Sequence, residues 1–284
     1  MGDLFDFESP PPLYAVMGNP IGHSKSPAIH RLFADACGVY LDYRAIQVDP
    51  GGFSQAVRNF EAAGGQGINV TVPFKVEACE MADQRSERAA LAGAANTLKF
   101  DAHGIFADNT DGVGLLADLT VNLACPLAAR QILVVGAGGA VRGVLGPLLE
   151  ANPERLVIVN RTLDKAAALA ERFAERGTIT TIGFDGLSGE AFDVVINATS
   201  ASLSGHVPPL DPGIFAADAL AYDMAYGDAP TPFMRWAQQR GAQRAVDGLG
   251  MLVEQAAESF LLWHGVRPPT AEVISALRAP ISAT

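Results

Sequence analysis

The sequence predicts an α/β fold in two successive domains, and three observations predict it. From about residue 13 onward, short apolar runs alternate with stretches of helical periodicity, the order expected of strands packed against helices. One run, residues 132–135, is followed at once by a glycine-rich turn that opens a helix. The next apolar run, residues 156–159, ends in a polar and basic tip.

The elements follow in order. Residues 13–17 read as a first strand, closed by the turn Gly18-Asn19-Pro20. Ser26-Pro27 has the form of an N-cap with proline at the first helical position, opening a helix that runs to about Cys37. Residues 43–48 form a second strand, and residues 53–63 carry apolar side chains at helical spacing up to Gly64-Gly65. A third strand spans 67–72 and is ended by Pro73; residues 77–92 read as one helix; 97–100 and 104–107 read as a hairpin. These elements make a first α/β domain over residues 13–114, and a second covers 115–248. The second contains 132–135, 156–159 and two further buried-type strands with polar C-terminal ends, within 192–200 and 219–224. The amphipathic stretch 251–264 is expected to pack back on the first domain, so that residues 249–284 complete it across a cleft. Residues 1–12, acidic, aromatic and ending in three prolines, read as a disordered leader.

The segment Gln131-Ile-Leu-Val-Val-Gly-Ala-Gly-Gly-Ala-Val-Arg-Gly143 is the most informative in the chain. Its apolar run suits a parallel strand buried on both faces. Gly136, Ala137, Gly138, Gly139 and Ala140 then let the backbone turn and lie against a pyrophosphate, whose charge is held at the next helix's N-terminus. The third glycine position departs from the usual pattern, since Val141 stands there and the next glycine is Gly143. A lone match of this kind is also met in plain strand-to-helix turns; strand, loop, helix, second strand and basic tip in order make a Rossmann-type dinucleotide-binding domain. An NAD site usually has an acidic residue at the end of the second strand. This chain has Asn160, Arg161 and Thr162, with Lys165 one turn on, a set that suits a 2′-phosphate and so NADP.

Composition excludes other classes. With 284 residues, 49% hydrophobic and 18% charged, the chain has ample material for two packed cores. A net charge of −11 argues against nucleic acid or an anionic membrane as partner. Cys37, Cys79 and Cys125 lack metal-ligand spacing and read as small apolar residues in a reducing compartment, with no metal site. No apolar stretch reaches the roughly 18 residues of a membrane span, and no secretory signal pattern opens the chain, so a cytoplasmic protein is expected. Monomer and homodimer both stay open.

Polar side chains gather at strand ends of the first domain beyond what a scaffold requires. Ser24 and Ser26, two residues apart on a turn, can hold a carboxylate without adding charge, although Ser26 alone reads equally as a cap. His23 and His30 complete no triad or metal set and read as structural. Thr71 and Lys75 end a buried strand, where α/β sites form, although a lysine there also serves as a surface cover. Asn96 and the turn Asp108-Asn-Thr-Asp111-Gly add further groups, the aspartates reading by themselves as turn formers.

Together these strings resemble the shikimate dehydrogenase family, from about Tyr14 to the C-terminus. Gly-Asn-Pro-Ile-x-His-Ser-x-Ser-Pro, Asn-Val-Thr-Val-Pro-Phe-Lys, Asn-Thr-Asp-Gly, Gly-Ala-Gly-Gly-Ala, Asn-Arg-Thr and Gly-x-x-Met-Leu-x-x-Gln all occur in family order. The resemblance implies NADPH-dependent reduction of 3-dehydroshikimate to shikimate in aromatic amino-acid biosynthesis. It implies Lys75 as acid/base with Asp111 as its partner, and a substrate pocket of Ser24, Ser26, Thr71, Asn96, Tyr226 and Gln255. It also implies NADP contacts at residues 136–140 and 160–165 and at Met224 and Gly248, with Glu87 a weaker member. Val141 replaces the small serine frequent in the family. The residues suit this chemistry on their own terms, since a ketone reduction needs a proton donor beside the developing alkoxide and a lysine held by a carboxylate provides one. A quinate/shikimate dehydrogenase of the same superfamily is the nearest rival; Arg161 at the ribose position speaks against its NAD preference. A catalytically inactive NADP-sensing regulator is the rival from another class, and the intact Lys75 and Asp111 speak against it. Closure of the two domains is expected to hinge near residues 112–116 and 242–249.

Overall fold

A computed structural model describes residues 10–278 of the chain. Nearly all of the predicted leader, residues 1–9, lies outside the described residues, as do residues 279–284. The first half supplies β1 (Leu13–Gly18), α1 (Ser26–Cys37), β2 (Asp42–Gln47), α2 (Phe53–Ala62), β3 (Gly65–Val70), α3 (Lys75–Met81), β4 (Gln84–Arg85), α4 (Glu87–Ala92), β5 (Thr97–Asp101) and β6 (Gly104–Asp108). Its six strands form one sheet in the order β2-β1-β3-β5-β6-β4. β1, β2 and β3 run parallel, whereas β5 is antiparallel to both β3 and β6. The C-terminal ends of β1, β3 and β6 and the N-terminal end of β5 therefore open on the same edge.

Period-two alternation sets the two faces of this sheet. Ala15, Met17, Ile68, Val70, Leu98 and Phe100 pack with Phe53, Val57 and Phe60 of α2 and Phe74 beside α3. The opposite face meets α9 (Leu249–His264), whose Val253, Ala256, Ala257 and Phe260 also bury Ile29 and Phe33 of α1. The chain thus returns to its first sheet, as the amphipathic pattern of 251–264 predicted.

After α5 (Asp111–Ala117) and a π-helical turn (Asp118–Asn122), the second half contributes β7 (Gln131–Val135), α6 (Gly139–Glu150), β8 (Arg155–Val159), α7 (Leu163–Arg172), β9 (Ile179–Ile182), β10 (Phe192–Asn197), β11 (Phe215–Asp223), α8 (Pro232–Gln239) and β12 (Arg244–Asp247). They form a parallel sheet ordered β12-β11-β10-β7-β8-β9. Strand order reverses beside β7, the switch point where such sheets hold ligands beyond their C-terminal ends. Ile132 and Val134 face α6 and α7, and Leu133 and Val135 face α8. All four have no accessible surface, as their unbroken apolar run requires.

Two local expectations need correction, and the segment expected to hinge is located. Ser26 is the first residue of α1, not its cap; Lys25 holds the cap position, and the Ser26 N–H donates instead to Ser24 Oγ at 3.3 Å. Residues 77–92 are not one helix. α3 stops at Met81, Gln84 and Arg85 pair with Phe106 and Ala107 as β4, and Ser86 then caps α4 by accepting from the Ala89 N–H at 3.1 Å. Residues 112–116, expected to hinge, lie within α5, packed against α6 so closely that a Cβ on Gly112 would stand 2.3 Å from the Gly143 carbonyl oxygen.

Candidate active site

Lys75 opens α3 just beyond the end of β3, and its carbonyl accepts from the Ala95 N–H at 2.7 Å, which ties it to the turn carrying Asn96. Its Nζ donates to Asp111 Oδ2 at 2.5 Å, with the two side chains keeping 19% and 7% of their accessible surface. A pair this sheltered is screened by salt far less than a surface pair. Asp111 begins α5, and its other oxygen, Oδ1, accepts from Asn96 Nδ2 at 2.9 Å. The same amide reaches Gln255 Oε1 of α9 at 3.0 Å. Lys75, Asp111, Asn96 and Gln255, separated in sequence, thus form one connected set. Asp108, three residues earlier, has another task. Burial alone would raise its carboxyl pKa, but Arg88 in two-pronged contact, with Ser86 Oγ and the Asn109 N–H, outweighs burial and holds it below the usual carboxylate range.

The Ser24–Ser26 turn is fastened to the same edge. The Asn19 N–H donates to the Val72 carbonyl at 3.0 Å and the Thr71 N–H to that of Met17 at 2.9 Å, so the ends of β1 and β3, and with them Ser24, Ser26 and Thr71, travel together. Ser26 does not cap its helix, and its side chain is buried. Lys25 Nζ stands 3.4 Å from Asp228 Oδ1, in the loop after β11 that also holds Tyr226. Tyr226 is half-buried there, which raises its hydroxyl pKa. His23 is exposed, and His30 is fully buried against Tyr43, their rings stacked at 4.2 Å.

At the switch point of the second sheet, Gly136 adopts φ +111°, a region L side chains avoid, and turns the chain out of β7. Above Gly138 and Gly139 at the start of α6 the space is open, since a Cβ on either would meet nothing within 4 Å. Ala137 and Ala140 flank them, half-buried. Val141 is fully buried in the core beneath α6, so the off-pattern side chain packs inward and leaves the loop's outer face clear. Beyond β8, Asn160 Nδ2 closes its turn on the Thr162 carbonyl at 2.8 Å. Arg161, Thr162 and Lys165 are exposed there; among the described residues no salt bridge involves Arg161 or Lys165. Met224 and Gly248 come together at the neighbouring strand ends, the Gly248 N–H donating to the Ala225 carbonyl at 3.1 Å and the Met224 N–H to that of Asn197 at 2.9 Å. An open glycine-lined helix start with two unpaired cations beside it fits a dinucleotide carrying an extra phosphate. Glu87 stands apart from this group, exposed at the start of α4 and paired with Arg176.

Family models match along most of the chain: the shikimate dehydrogenase substrate binding domain at residues 16–98, shikimate / quinate 5-dehydrogenase at 118–204, and the shikimate 5′-dehydrogenase C-terminal domain at 248–278. A curated shikimate dehydrogenase (NADP(+)) from Alkalilimnicola ehrlichii is 58% identical over 265 residues, which cover 93% of this chain and 98% of the relative. The chain belongs to the shikimate dehydrogenase family. Among solved structures, an Ael1 enzyme from Pseudomonas putida superposes with TM-score 0.88 at 50% identity, covering 95% of this chain and all of the other (100%). A shikimate 5-dehydrogenase from Thermus thermophilus, solved in complex with NADP(H) and shikimate, superposes with TM-score 0.84 at 32% identity, covering 94% and 98% of the two chains. The α/β fold with a substrate-binding first domain and a Rossmann-like parallel sheet is thus that of the shikimate dehydrogenases.

Sequence reasoning passed over four polar residues that join this site. Thr110 Oγ1 donates to the Gln255 carbonyl at 2.9 Å, and Asn69, Thr97 and Ser259 form a buried cluster directly behind Asn96. A signal was present for two of them. Asn69 interrupts an apolar strand, and Ser259 follows Gln255 by one helical turn.

Proposed function

We propose that this protein catalyses the reversible, NADPH-dependent reduction of 3-dehydroshikimate to shikimate. The observation that carries the reading is the Lys75–Asp111 pair, 2.5 Å apart and largely enclosed, with Asn96 holding the far oxygen of Asp111. NADPH, when bound, supplies the hydride to the ketone carbon. Lys75 Nζ gives a proton to the ketone oxygen as that oxygen gathers negative charge, and its ammonium steadies the charge until the proton has moved. Asp111 keeps the ammonium in place and takes no proton itself. In the reverse direction Lys75 accepts the proton from the hydroxyl.

Ser24 and Ser26 hold the substrate carboxylate by hydroxyl donors, and Thr71, Asn96, Tyr226 and Gln255 line the rest of the pocket. Gly136, Ala137, Gly138, Gly139 and Ala140 lie along the pyrophosphate; Asn160, Arg161, Thr162 and Lys165 receive the 2′-phosphate; Met224 and Gly248 flank the nicotinamide end. Glu87, spent on Arg176, is the weakest member of this set. Residues 13–114 with 249–284 make the substrate domain, and residues 115–248 the NADP domain. The net charge of −11 supports a small-molecule enzyme with no nucleic-acid partner. No helix among the described residues is long and apolar enough to cross a membrane; three free cysteines support a cytoplasmic location.

Steady-state rates with shikimate and with quinate, each with NADP and with NAD, test the reading. Shikimate with NADP should give the highest kcat/KM of the four combinations. A preference for quinate, or for NAD, would overturn the substrate or the cofactor assignment respectively.

A further inference from the structure

Behind the reaction centre lies a run of buried polar side chains bonded to one another. Asn69, Asn96, Thr97 and Ser259 retain 5%, 2%, 0% and 0% of their accessible surface, so a ligand in the cleft does not reach the last two. Strand alternation explains why they meet. Ile68 and Val70 point to the α2 side of the first sheet, which turns Asn69 to the α9 side, where α9 brings Ser259.

Two backbone groups fix the orientation of both amides. The Thr110 N–H can only donate, so the Asn96 atom facing it at 2.8 Å is Oδ1, and Nδ2 is left facing Asp111, Gln255 and the Thr110 hydroxyl. The Asn96 carbonyl can only accept, so the Asn69 atom facing it at 3.3 Å is Nδ2, and Oδ1 accepts from the Tyr43 hydroxyl at 2.7 Å. Thr97 Oγ1 donates to Asn96 Oδ1 at 3.0 Å, and Ser259 Oγ, 2.8 Å from Thr97 Oγ1, also has the Gln255 carbonyl within reach of its proton at 3.1 Å. Ser259 in turn accepts from Asn69 Nδ2 at 2.8 Å. Tyr43, Asn69, Ser259, Thr97 and Asn96 are thus joined in one row of hydrogen bonds, which ends on Asp111 Oδ1 while Lys75 occupies Oδ2.

We propose that Thr97 and Ser259, backed by Asn69, are positioning residues of the reaction centre: they hold the Asn96 amide with its N–H toward Asp111 and so keep Asp111 aligned on Lys75. This rests on the function proposed above. Neither residue touches the reacting atoms. The influence of Thr97 passes through Asn96 and is partial because the Thr110 N–H also holds Asn96 Oδ1, and Ser259 touches the Gln255 carbonyl as well.

Thr97→Val and Thr97→Ser separate positioning from packing. Valine keeps the shape of threonine and removes the hydroxyl; serine keeps the hydroxyl and removes the methyl. If Thr97 matters only as filling, valine is the milder change. If it positions Asn96, serine retains most of the turnover while valine lowers kcat about five-fold, the worth of one neutral hydrogen bond. The NADP dissociation constant should stay within about two-fold of the parent in both, as an unaltered fold requires. A kcat for Thr97→Val equal to or above that of Thr97→Ser overturns the proposal. Should Thr97→Val not be recovered folded, Ser259→Ala decides: a loss of roughly three-fold in kcat supports positioning, and unchanged turnover overturns it. A parent enzyme that fails to oxidise shikimate would refute the proposed function itself, and the two failures are told apart by that control.

Discussion

His30 should make this protein sensitive to mild acid, by an amount the structure specifies. Its ring has no accessible surface, and among the described residues neither nitrogen has a hydrogen-bond partner. It lies stacked on Tyr43 at 4.2 Å with 7° between planes and edge-on to Phe33 at 6.0 Å. Burial is the main cause that lowers its pKa from 6.5 to about 3; Asn69 works weakly against burial without forming a well-aligned bond, and His264 adds to it. The unfolded chain therefore takes up the proton first. Stability is whole above the unfolded value of 6.5, falls as pH drops through it, and stops falling near 3, where the folded protein also charges the ring. The full gap corresponds to roughly 5 kcal/mol, and about 2 kcal/mol of it is already lost by about pH 5. His30→Phe keeps an aromatic ring on Tyr43 and cannot take a proton. Urea unfolding at about pH 7.5 and about pH 5 should show the parent losing about 2 kcal/mol more than the variant between the two. Other groups with displaced pKa values, among them Asp108, Asp118 and Asp223, are present in both proteins and cancel in the difference. Equal acid sensitivity in the two proteins would refute the reasoning, because it would mean that the folded state accommodates a charged His30.

Lys75→Met, which keeps bulk but removes proton and charge, should lower turnover by about 10²–10⁴-fold with NADP affinity unchanged; near-normal turnover with weaker shikimate binding would make the lysine a clamp only. Asp111→Asn should also slow turnover, and the double variant should lose less than the product of the single losses, since the two act as a unit; multiplicative losses in a steady-state comparison would separate their roles. Arg161→Ala should cost on the order of 1.5–3 kcal/mol of NADP binding and leave NAD binding nearly as it was, as titration calorimetry can measure; equal losses for both cofactors would remove the 2′-phosphate assignment. Ser24→Ala and Ser26→Ala should raise KM for shikimate more than they lower kcat, because carboxylate contacts exist in ground and transition states alike. The opposite split would place the serines at the reacting centre.

The parts of this fold legible in the sequence are those with a local physical cause. Residues 132–135 and 156–159 read as strands because both faces of each are covered, which demands an unbroken apolar run, and Gly136 reads as a turn because its φ suits no other residue. β4 carried no such signal. Gln84 and Arg85 are exposed, and only pairing with Phe106 and Ala107, some twenty residues on, makes them a strand. The helix expected across 77–92 failed for the same reason, its break being set by that distant ladder and by the Ser86 cap. At Ser26 a cap rule met its residues but not its geometry, since Ser24 accepts the bond instead.

The site divides along the same line. Lys75, Asp111, Asn96 and Gln255 stand in recognisable strings, and the fold brings all four into contact. Thr97 and Ser259 carry at most a faint mark, for Ser259 its one-turn spacing from Gln255, because one small hydroxyl on the buried side of a strand or helix leaves apolar periodicity almost intact. Their significance is a property of the pair, 2.8 Å apart across 162 positions of chain. A buried hydroxyl needs a partner at a cost of about 1–3 kcal/mol if it lacks one. Two such residues in one core therefore imply that they meet each other or a third polar group, and here the third group is the amide that steadies Asp111. Polar residues at positions the hydrophobic period marks as buried are thus where a sequence of this kind conceals the supporting structure of its reaction centre.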